Sequence, residues 1–276
     1  MTNNSFSIRL REARQMMGLS MDKLVERTNG AITKQSISRY EKGIMRPKRD
    51  ALQAIAKALN ISEAYFNGTN LKIDVPMLRT TSNGKLSEDE LQALEAKLSF
   101  WAEQYLAKEK EAGFPTQFKN PIKGTKVSTL EDAIQASSLL REMWHCGDGP
   151  IASILRLLER KGIMILAATL PEYVFGMSTW ADKKHPLMIL DFNPEKSSVE
   201  KLRFTAAHEL AHLLLLFPED SPLKQEKRCD LFASFFLLPK LALIEELGSR
   251  KRELITLEEM IDIKELYGAS LAASII

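Results

Sequence analysis

The sequence predicts a mainly α-helical protein with a small β-sheet, of the α+β class. Apolar residues recur at intervals of three and four along most of the chain, which is typical of amphipathic helices. Three short runs between residues 163 and 193 have the length and the branched or aromatic composition of strands. With 276 residues, 45% of them hydrophobic and 27% charged, the chain is long enough for two modest globular domains.

Basic residues are concentrated at the N-terminal end. The first 50 residues contain eleven Lys and Arg against five Asp and Glu, whereas the whole chain has a net charge of +2. A polyanion such as DNA is therefore the expected partner of this end alone. Two cysteines are too few for a disulfide framework, and no apolar run has the length of a membrane span. We expect a cytoplasmic protein with no membrane partner.

Short helices are predicted between residues 8 and 66. Ser20 and Thr33 are suited to cap the second and third helices, because a hydroxyl at that position accepts a hydrogen bond from a backbone N–H of the first turn. Pro47 is well placed to open a fourth helical segment, and Ser62 opens a short last turn. This spacing predicts a compact five-helix domain.

A connector with one long helix follows. Ser87 and Glu90 form a capping-box pair ahead of a charged helix of some 20 residues that runs to Gly113. The segment GFPTQFKNPIKG is rich in Gly and Pro and is typical of a linker. The predicted domain bounds are 1–68, 69–128 and 129–276.

The C-terminal part alternates helices and strands. The predicted elements are helices at 130–144 and 149–161, strands at 163–168, 173–180 and 185–193, helices at 197–216 and 224–239, and closing helical segments. The polar ADKK between the last two strands indicates a hairpin. The strand at 185–193 is a candidate edge for pairing with an extended peptide.

The segment RFTAAHELAHLLLLF, residues 203–217, has the features of a metal site. His208 and His212 lie four residues apart, so on a helix both imidazoles can reach one ion. Glu209 is about 100° round the helix and is better placed to act as a general base on water. The competing interpretation is two histidines in an apolar core. It is disfavoured because an unpaired buried carboxylate is costly there.

A catalytic zinc site needs a third protein ligand. The nearest acidic candidates downstream are Glu219, Asp220, Glu226 and Asp230. Glu226 and Asp230 are again four residues apart on a predicted helix, so we assign Glu226 as the third ligand and Asp230 as the acceptor that fixes a histidine tautomer. The alternative is a solvated helix start with its usual acids. Zn²⁺ suits this set, and Mn²⁺ or Fe²⁺ also suit two histidines with one carboxylate.

These residues resemble a known family. RFTAAHELAHLLLL followed by EKRCDLFASFFLLP is similar to the ImmA/IrrE family of bacterial metallopeptidases, whose pattern is R-F-T-x-A-H-E-x-x-H and then E-x-x-A-N-x-F-A. The resemblance implies a zincin-like metallopeptidase domain with the ligands His208, His212 and Glu226 and the base Glu209. Cys229 and Asp230 stand where that family usually has Ala and Asn.

Residues 8 to 66 resemble the helix-turn-helix domain of XRE-type, phage-repressor-like regulators. The similarity is carried by IRLREARQMMGLSMDKL and ITKQSISRYEKGIMRPKRDALQAIAKALNIS. In that fold the second helix of the motif enters the major groove with its N-terminal residues first. The resemblance implies base-edge contacts by Lys34, Gln35 and Arg39, and phosphate contacts by Ser36, Arg46 and Lys48.

Together the two resemblances predict a bacterial transcriptional regulator that carries a zinc-dependent endopeptidase. The segment MLRTTSNGKLSEDELQALEAKLSFWAEQYL is similar to the connector of regulators that fuse these modules. The implied partners are operator DNA and a protein substrate, a transcriptional repressor or antitoxin-like protein, and a homodimer is compatible with the DNA-binding domain. Two alternatives remain at this point: a regulator whose metal domain senses a ligand or ion without proteolysis, and a purely structural metal.

Overall fold

The computed structural model describes residues 3–68, 71–73, 88–113, 117–170, 172, 174–248 and 255–268. The chain divides into two compact units, Met1–Pro115 and Thr116–Ile276. The described part of both units is mainly helical and the second unit also holds a small sheet, which confirms the predicted α+β class. None of the helices in these ranges is long and apolar enough to cross a membrane.

The first unit begins with the predicted series of short helices. They are α1 (Asn3–Met16), α2 (Met21–Arg27), α3 (Lys34–Glu41), α4 (Arg49–Leu59) and a 3-10 helix (Glu63–Asn67). Ser20 and Thr33 cap α2 and α3 as predicted, accepting hydrogen bonds from the amides of Lys23 and Ser36. The helices enclose a core that includes Leu10, Leu24, Ile37, Ile55 and Leu59.

The long helix α5 (Glu88–Glu111) packs against α1 in the same unit. Arg9 of α1 is buried; it forms an ion pair with Glu103 of α5 and donates a hydrogen bond to the carbonyl of Tyr65. Side-chain contacts as well as apolar burial therefore hold α5 in this unit. The predicted capping box includes Ser87, which lies outside the described residues.

The second unit contains the sheet and the helices around it. Its elements are α6 (Leu130–Trp144), α7 (Ile154–Arg160), β1 (Met164–Ala167), β2 (Gly176–Ala181), β3 (His185–Leu190), α8 (Val199–Leu214), α9 (Pro222–Leu237), α10 (Lys240–Leu247) and α11 (Leu257–Tyr267). Helix α6 has the predicted bounds. Helix α7 begins at Ile154 rather than at residue 149, because Ser153 caps it and Pro150 lies before that cap.

The strand order in the sheet is β1-β3-β2, with β1 parallel and β2 antiparallel to β3. The prediction of β3 as an edge strand is therefore wrong: it is the central strand. Its apolar run HPLMIL is typical of a strand that is buried by neighbours on both sides. The predicted hairpin is confirmed: β2 and β3 pair antiparallel with Ala181 opposite His185, and Asp182 and Lys183 in the three-residue connection have positive φ, 50° and 57°.

Helix α8 packs against β2, β3 and α9. The connection from α8 to α9 is short, and Asp220 within it accepts two hydrogen bonds, of 2.6 and 3.1 Å, from the buried guanidinium of Arg228. The amide of Leu216 in the same connection donates to the carbonyl of Thr125. These contacts fix the start of α9 beside the C-terminal half of α8.

Candidate metal centre

The two histidines of α8 face each other across one helical turn. Their ring centroids are 4.9 Å apart, and the Nε2 atoms of His208 and His212 are separated by 3.1 Å. This arrangement follows from their spacing of four residues, which stacks side chains on one helix face. Both imidazoles present the same nitrogen to one point, as a shared ion requires.

The carboxylate of Glu226, on the neighbouring helix α9, lies beside both of these Nε2 atoms. Its Oε2 atom lies 3.1 Å from His208 Nε2, and its Oε1 atom lies 3.5 Å from His212 Nε2. The Glu226 side chain is 38% exposed, whereas the two histidines are 14% and 13% exposed. The three groups therefore form a cluster that is open to solvent on the α9 side.

The separations within this cluster fit a tetrahedral metal ion. Zinc bonds of about 2.0–2.2 Å to nitrogen and oxygen place neighbouring ligand atoms about 3.3–3.6 Å apart. The two Nε2 atoms lie 3.1 Å from each other, and each lies 3.1 or 3.5 Å from one of the two carboxylate oxygens of Glu226. The donor set of two imidazoles and one carboxylate suits Zn²⁺, and also Mn²⁺ or Fe²⁺.

The charges of the cluster also favour a cation. Burial alone would lower the pKa of His208, but its hydrogen bonds to Asp230 and Glu226 outweigh that and raise the pKa to about 10. The hydrogen bonds from His208 and His212 lower the pKa of Glu226 to about 2. The carboxylates thus stabilise a positive charge at His208, and a divalent cation would satisfy them in place of a proton.

Asp230 lies one turn of α9 beyond Glu226 and contacts the other ring nitrogen of His208, Nδ1. Its Oδ1 atom is 2.8 Å from His208 Nδ1, so with Nε2 turned toward Glu226 the Nδ1–H donates to the carboxylate. The structure therefore brings together all four of the predicted residues His208, His212, Glu226 and Asp230.

Cys229 is an alternative ligand that the sequence did not suggest. Ligand atoms of His208, His212 and Cys229 all lie within 4.8 Å of one another. The Cys229 sulfur, however, is 3.7 Å from His212 Nδ1, whereas Glu226 faces the Nε2 atoms of both histidines. Burial, and then the carboxylate of Glu226, raise the pKa of the thiol, which disfavours the thiolate that a metal would need. We therefore favour Glu226.

Glu209 is buried beside the cluster, with 3% of its surface exposed. Its Oε2 atom accepts a hydrogen bond of 2.7 Å from the hydroxyl of Ser178 on β2. The close contact between β2 and α8 depends on Gly176: a Cβ atom there would lie 2.5 Å from Thr205 Cγ2 and 3.4 Å from Glu209 Cγ. The buried carboxyl group of Glu209 thus has a polar partner in an otherwise apolar contact.

Sequence reasoning missed two side chains at this centre: Ser178, and Gln225, whose amide lies 3.3 Å from His212 Nδ1. It singled out Cys229 within the motif but did not predict its contact with His212. Ser178 lies 31 residues before Glu209 in sequence, and nothing in the strand GMSTWA distinguishes its hydroxyl from that of the neighbouring Thr179. Gln225 and Cys229 are four residues apart on α9, the same spacing that identified Glu226 and Asp230.

The predicted DNA-contacting residues lie on and after α3. Gln35 and Arg39 are exposed and one turn apart on the same face, and Lys34 forms an exposed ion pair of 2.7 Å with Asp22. The Ser36 hydroxyl lies 3.0 Å from the Thr33 hydroxyl in the cap of α3. α3 therefore presents Lys34, Gln35 and Arg39 to solvent.

The two remaining predicted contacts follow α3. Arg46 donates to Asn67 over 2.9 Å, and its guanidinium lies 5.5 Å from the centre of the Phe6 ring. Lys48 is exposed at the N-cap of α4 and makes no side-chain capping bond. Of these two, Lys48 is the more accessible to a phosphate, since Arg46 already has partners within its own domain.

Comparison with known proteins agrees with both halves of this description. Residues 10–66 match the family model described as helix-turn-helix, and residues 158–274 match the model described as the IrrE N-terminal-like domain. A search of curated proteins found no match to this chain. The first match covers α1 to the 3-10 helix, and the second covers the sheet, α8 and α9. The chain thus carries an XRE-type helix-turn-helix domain at residues 10–66 fused to an IrrE/ImmA-like domain at residues 158–274.

Proposed function

We propose that this chain is a DNA-binding transcriptional regulator whose C-terminal domain is a zinc-dependent endopeptidase. The observation that best supports the enzyme is the convergence of His208, His212 and Glu226 on one point, at 3.1 to 3.5 Å from one another, with Glu209 next to it. A purely structural zinc usually has four protein ligands, whereas three protein ligands leave a position for chemistry.

Zinc at such a centre supplies Lewis acidity, which polarises a peptide carbonyl and makes water more acidic. Glu209 accepts the proton of the attacking water as it adds to the carbonyl carbon. The same carboxyl group then donates that proton to the amide nitrogen as the C–N bond breaks. Ser178 keeps Oε2 of Glu209 in a fixed direction through its hydrogen bond, and Asp230 and Glu226 fix the ring of His208.

We infer that an extended substrate segment lies along β2. With β3 in the centre of the sheet, β2 is an edge of the three strands among the described residues, and its Ser178 touches the general base. Peptide recognition by strand addition uses main-chain hydrogen bonds at a sheet edge. This replaces β3, which the sequence had suggested for the same role.

The substrate we propose is a transcriptional repressor or antitoxin-like protein. The support is the fusion itself: a domain that binds DNA brings the peptidase close to proteins on the same DNA. Such tethering raises the effective concentration of the peptidase near its substrate. Cleavage of the repressor would then release gene expression.

The test uses zinc-loaded protein and its Glu209→Gln variant, incubated with a library of peptides from a proteome digest. New peptide ends are identified by mass spectrometry, and bound zinc is measured by elemental analysis. We expect cleavage by the unmodified protein, and zinc binding without cleavage by Glu209→Gln, because the amide cannot accept the proton.

Equal amounts of new ends with both proteins would contradict the endopeptidase. That result, together with retained zinc, would favour a regulator whose metal domain senses a ligand or ion. The proposed repressor substrate is tested in cells. Protein termini are compared after expression of the unmodified protein and of its Glu209→Gln variant. A DNA-binding protein cut only by the unmodified form is the expected result, and its absence would contradict the proposed substrate.

A further inference from the structure

Helix α9 contacts both histidines. One pair of its side chains contacts His208 and another pair contacts His212, and the two residues of each pair are four positions apart. Glu226 and Asp230 contact His208 through Nε2 and Nδ1, at 3.1 and 2.8 Å. Gln225 and Cys229 contact His212 only through Nδ1, at 3.3 and 3.7 Å. Because the second pair precedes the first by one position along α9, all four side chains lie on one side of this helix. Together they contact both ring nitrogens of both histidines.

An imidazole that binds metal through Nε2 carries its hydrogen on Nδ1, and this N–H needs an acceptor. His208 has Asp230 in this position. For His212 the choice is between the amide of Gln225 and the sulfur of Cys229. A glutamine amide can present its carbonyl oxygen after rotation of the terminal group, whereas a thiol is a weak acceptor. Gln225 is also the nearer of the two.

We propose that Gln225 is the positioning residue of His212: its side-chain oxygen accepts the Nδ1–H and holds Nε2 toward His208 and Glu226. Because a glutamine amide has both a donor and an acceptor end, the same side chain serves either tautomer of the ring. The inference rests on the proposed metal centre, and it is independent of whether the protein cleaves peptides.

The experiment measures Zn²⁺ affinity by competition with a chromophoric chelator. Gln225→Ala is expected to weaken binding about tenfold or more, the usual effect of removing such a partner. Gln225→Glu is expected to restore it, since a carboxylate oxygen replaces the amide oxygen at the same length. Gln135→Ala, on an exposed position of α6, is the matched control and should leave the affinity unchanged. Thermal unfolding of each metal-free variant checks that the fold is retained.

Co²⁺ binding provides a second readout that separates Gln225 from Cys229. We expect Cys229→Ala to leave the Co²⁺ spectrum and the Zn²⁺ affinity close to those of the unmodified protein, and Gln225→Ala to change both. Unchanged affinity in Gln225→Ala would overturn the inference. So would an intense sulfur-to-cobalt charge-transfer band that disappears in Cys229→Ala. Absence of Zn²⁺ binding by the unmodified protein would overturn it together with the metal centre, whereas Zn²⁺ binding without peptide cleavage would contradict only the peptidase.

Discussion

The hydroxyl of Ser178 donates a hydrogen bond of 2.7 Å to Oε2 of Glu209, which joins strand β2 to the proposed general base on α8. Hydrogen bonds to charged groups contribute about 1.5–3 kcal/mol. We expect Ser178→Ala to lower kcat about tenfold, because the carboxylate loses its fixed direction, and to leave Zn²⁺ affinity unchanged.

Steady-state kinetics on a peptide found in the cleavage screen measure this effect. Ser178→Thr should recover most of the rate, since it keeps the hydroxyl and suits a strand. Ser138→Ala removes an exposed hydroxyl on α6 and serves as the control. A rate in Ser178→Ala equal to that of the control would show that Ser178 does not support the base.

Gly176 allows β2 to approach α8. A Cβ atom there would lie 2.5 Å from Thr205 Cγ2 and 3.0 Å from Leu190 Cδ2. We expect Gly176→Ala to destabilise the second unit by about 1–3 kcal/mol, the usual cost of overpacking a close contact. Chemical denaturation measures the free energy of unfolding. Gly149→Ala is the matched control, because a Cβ at Gly149 meets nothing within 4 Å; equal stabilities would contradict the close contact.

Asp230 holds His208 at Nδ1, at 2.8 Å. We expect Asp230→Ala to weaken Zn²⁺ binding about 10- to 100-fold, since loss of such a partner releases the tautomer and the orientation of the ring. Asp230→Asn should lose less, because its carbonyl oxygen can still accept the N–H. Isothermal titration of the metal-free protein distinguishes them. Identical affinities of Asp230→Ala and the unmodified protein would remove Asp230 from the centre.

Metal removal should lower the stability of the second unit. A ligand that binds only the folded state at 100 times its Kd adds about 2.7 kcal/mol to the free energy of unfolding. For a unit of this size that raises Tm by about 5–10 °C. Differential scanning calorimetry with Zn²⁺ and then with a chelator measures the shift. His212→Ala should show none, and a shift of equal size in that variant would place the zinc elsewhere.

The exposed residues of α3 should determine DNA sequence preference. Selection from random duplex oligonucleotides is expected to enrich a sequence with the unmodified protein. Lys34→Ala combined with Arg39→Ala should bind that sequence at least about tenfold more weakly, since a good base contact contributes about 1–3 kcal/mol. The ion pair of Lys34 with Asp22 is exposed, so breaking it to free Lys34 for DNA costs little free energy. Lys57→Ala on α4 is the control, and equal binding by all three proteins would contradict the assignment.

Those parts of the fold that depend on local spacing could be predicted from the sequence. The start of α6 follows from its Thr129 cap, and the histidine pair follows from its spacing on one helix. The contact of Glu226 with the histidines was predictable because a short connection returns the chain beside α8. Asp230 lies four residues later on the same helix face, so its contact with His208 was predictable too.

Contacts that depend on tertiary packing could not be predicted in this way. The central position of β3 is decided by which strands flank it, and a strand next to α8 in sequence need not lie at the sheet edge. The contact of Ser178 with Glu209 joins β2 to α8, and all of β3 lies between these two elements in the sequence. No local sequence pattern predicts this contact. The partners of His212 depend on the rotation of α9 about its axis, which the hydrophobic pattern fixes only coarsely.

The most direct measurement is a crystal structure of the zinc-loaded protein with an anomalous difference map at the zinc edge. We expect one strong peak in the second unit, about 2.0–2.2 Å from His208 Nε2, His212 Nε2 and a carboxylate oxygen of Glu226. A peak bonded to Cys229 in place of Glu226, or a peak away from both histidines, would contradict the proposed centre.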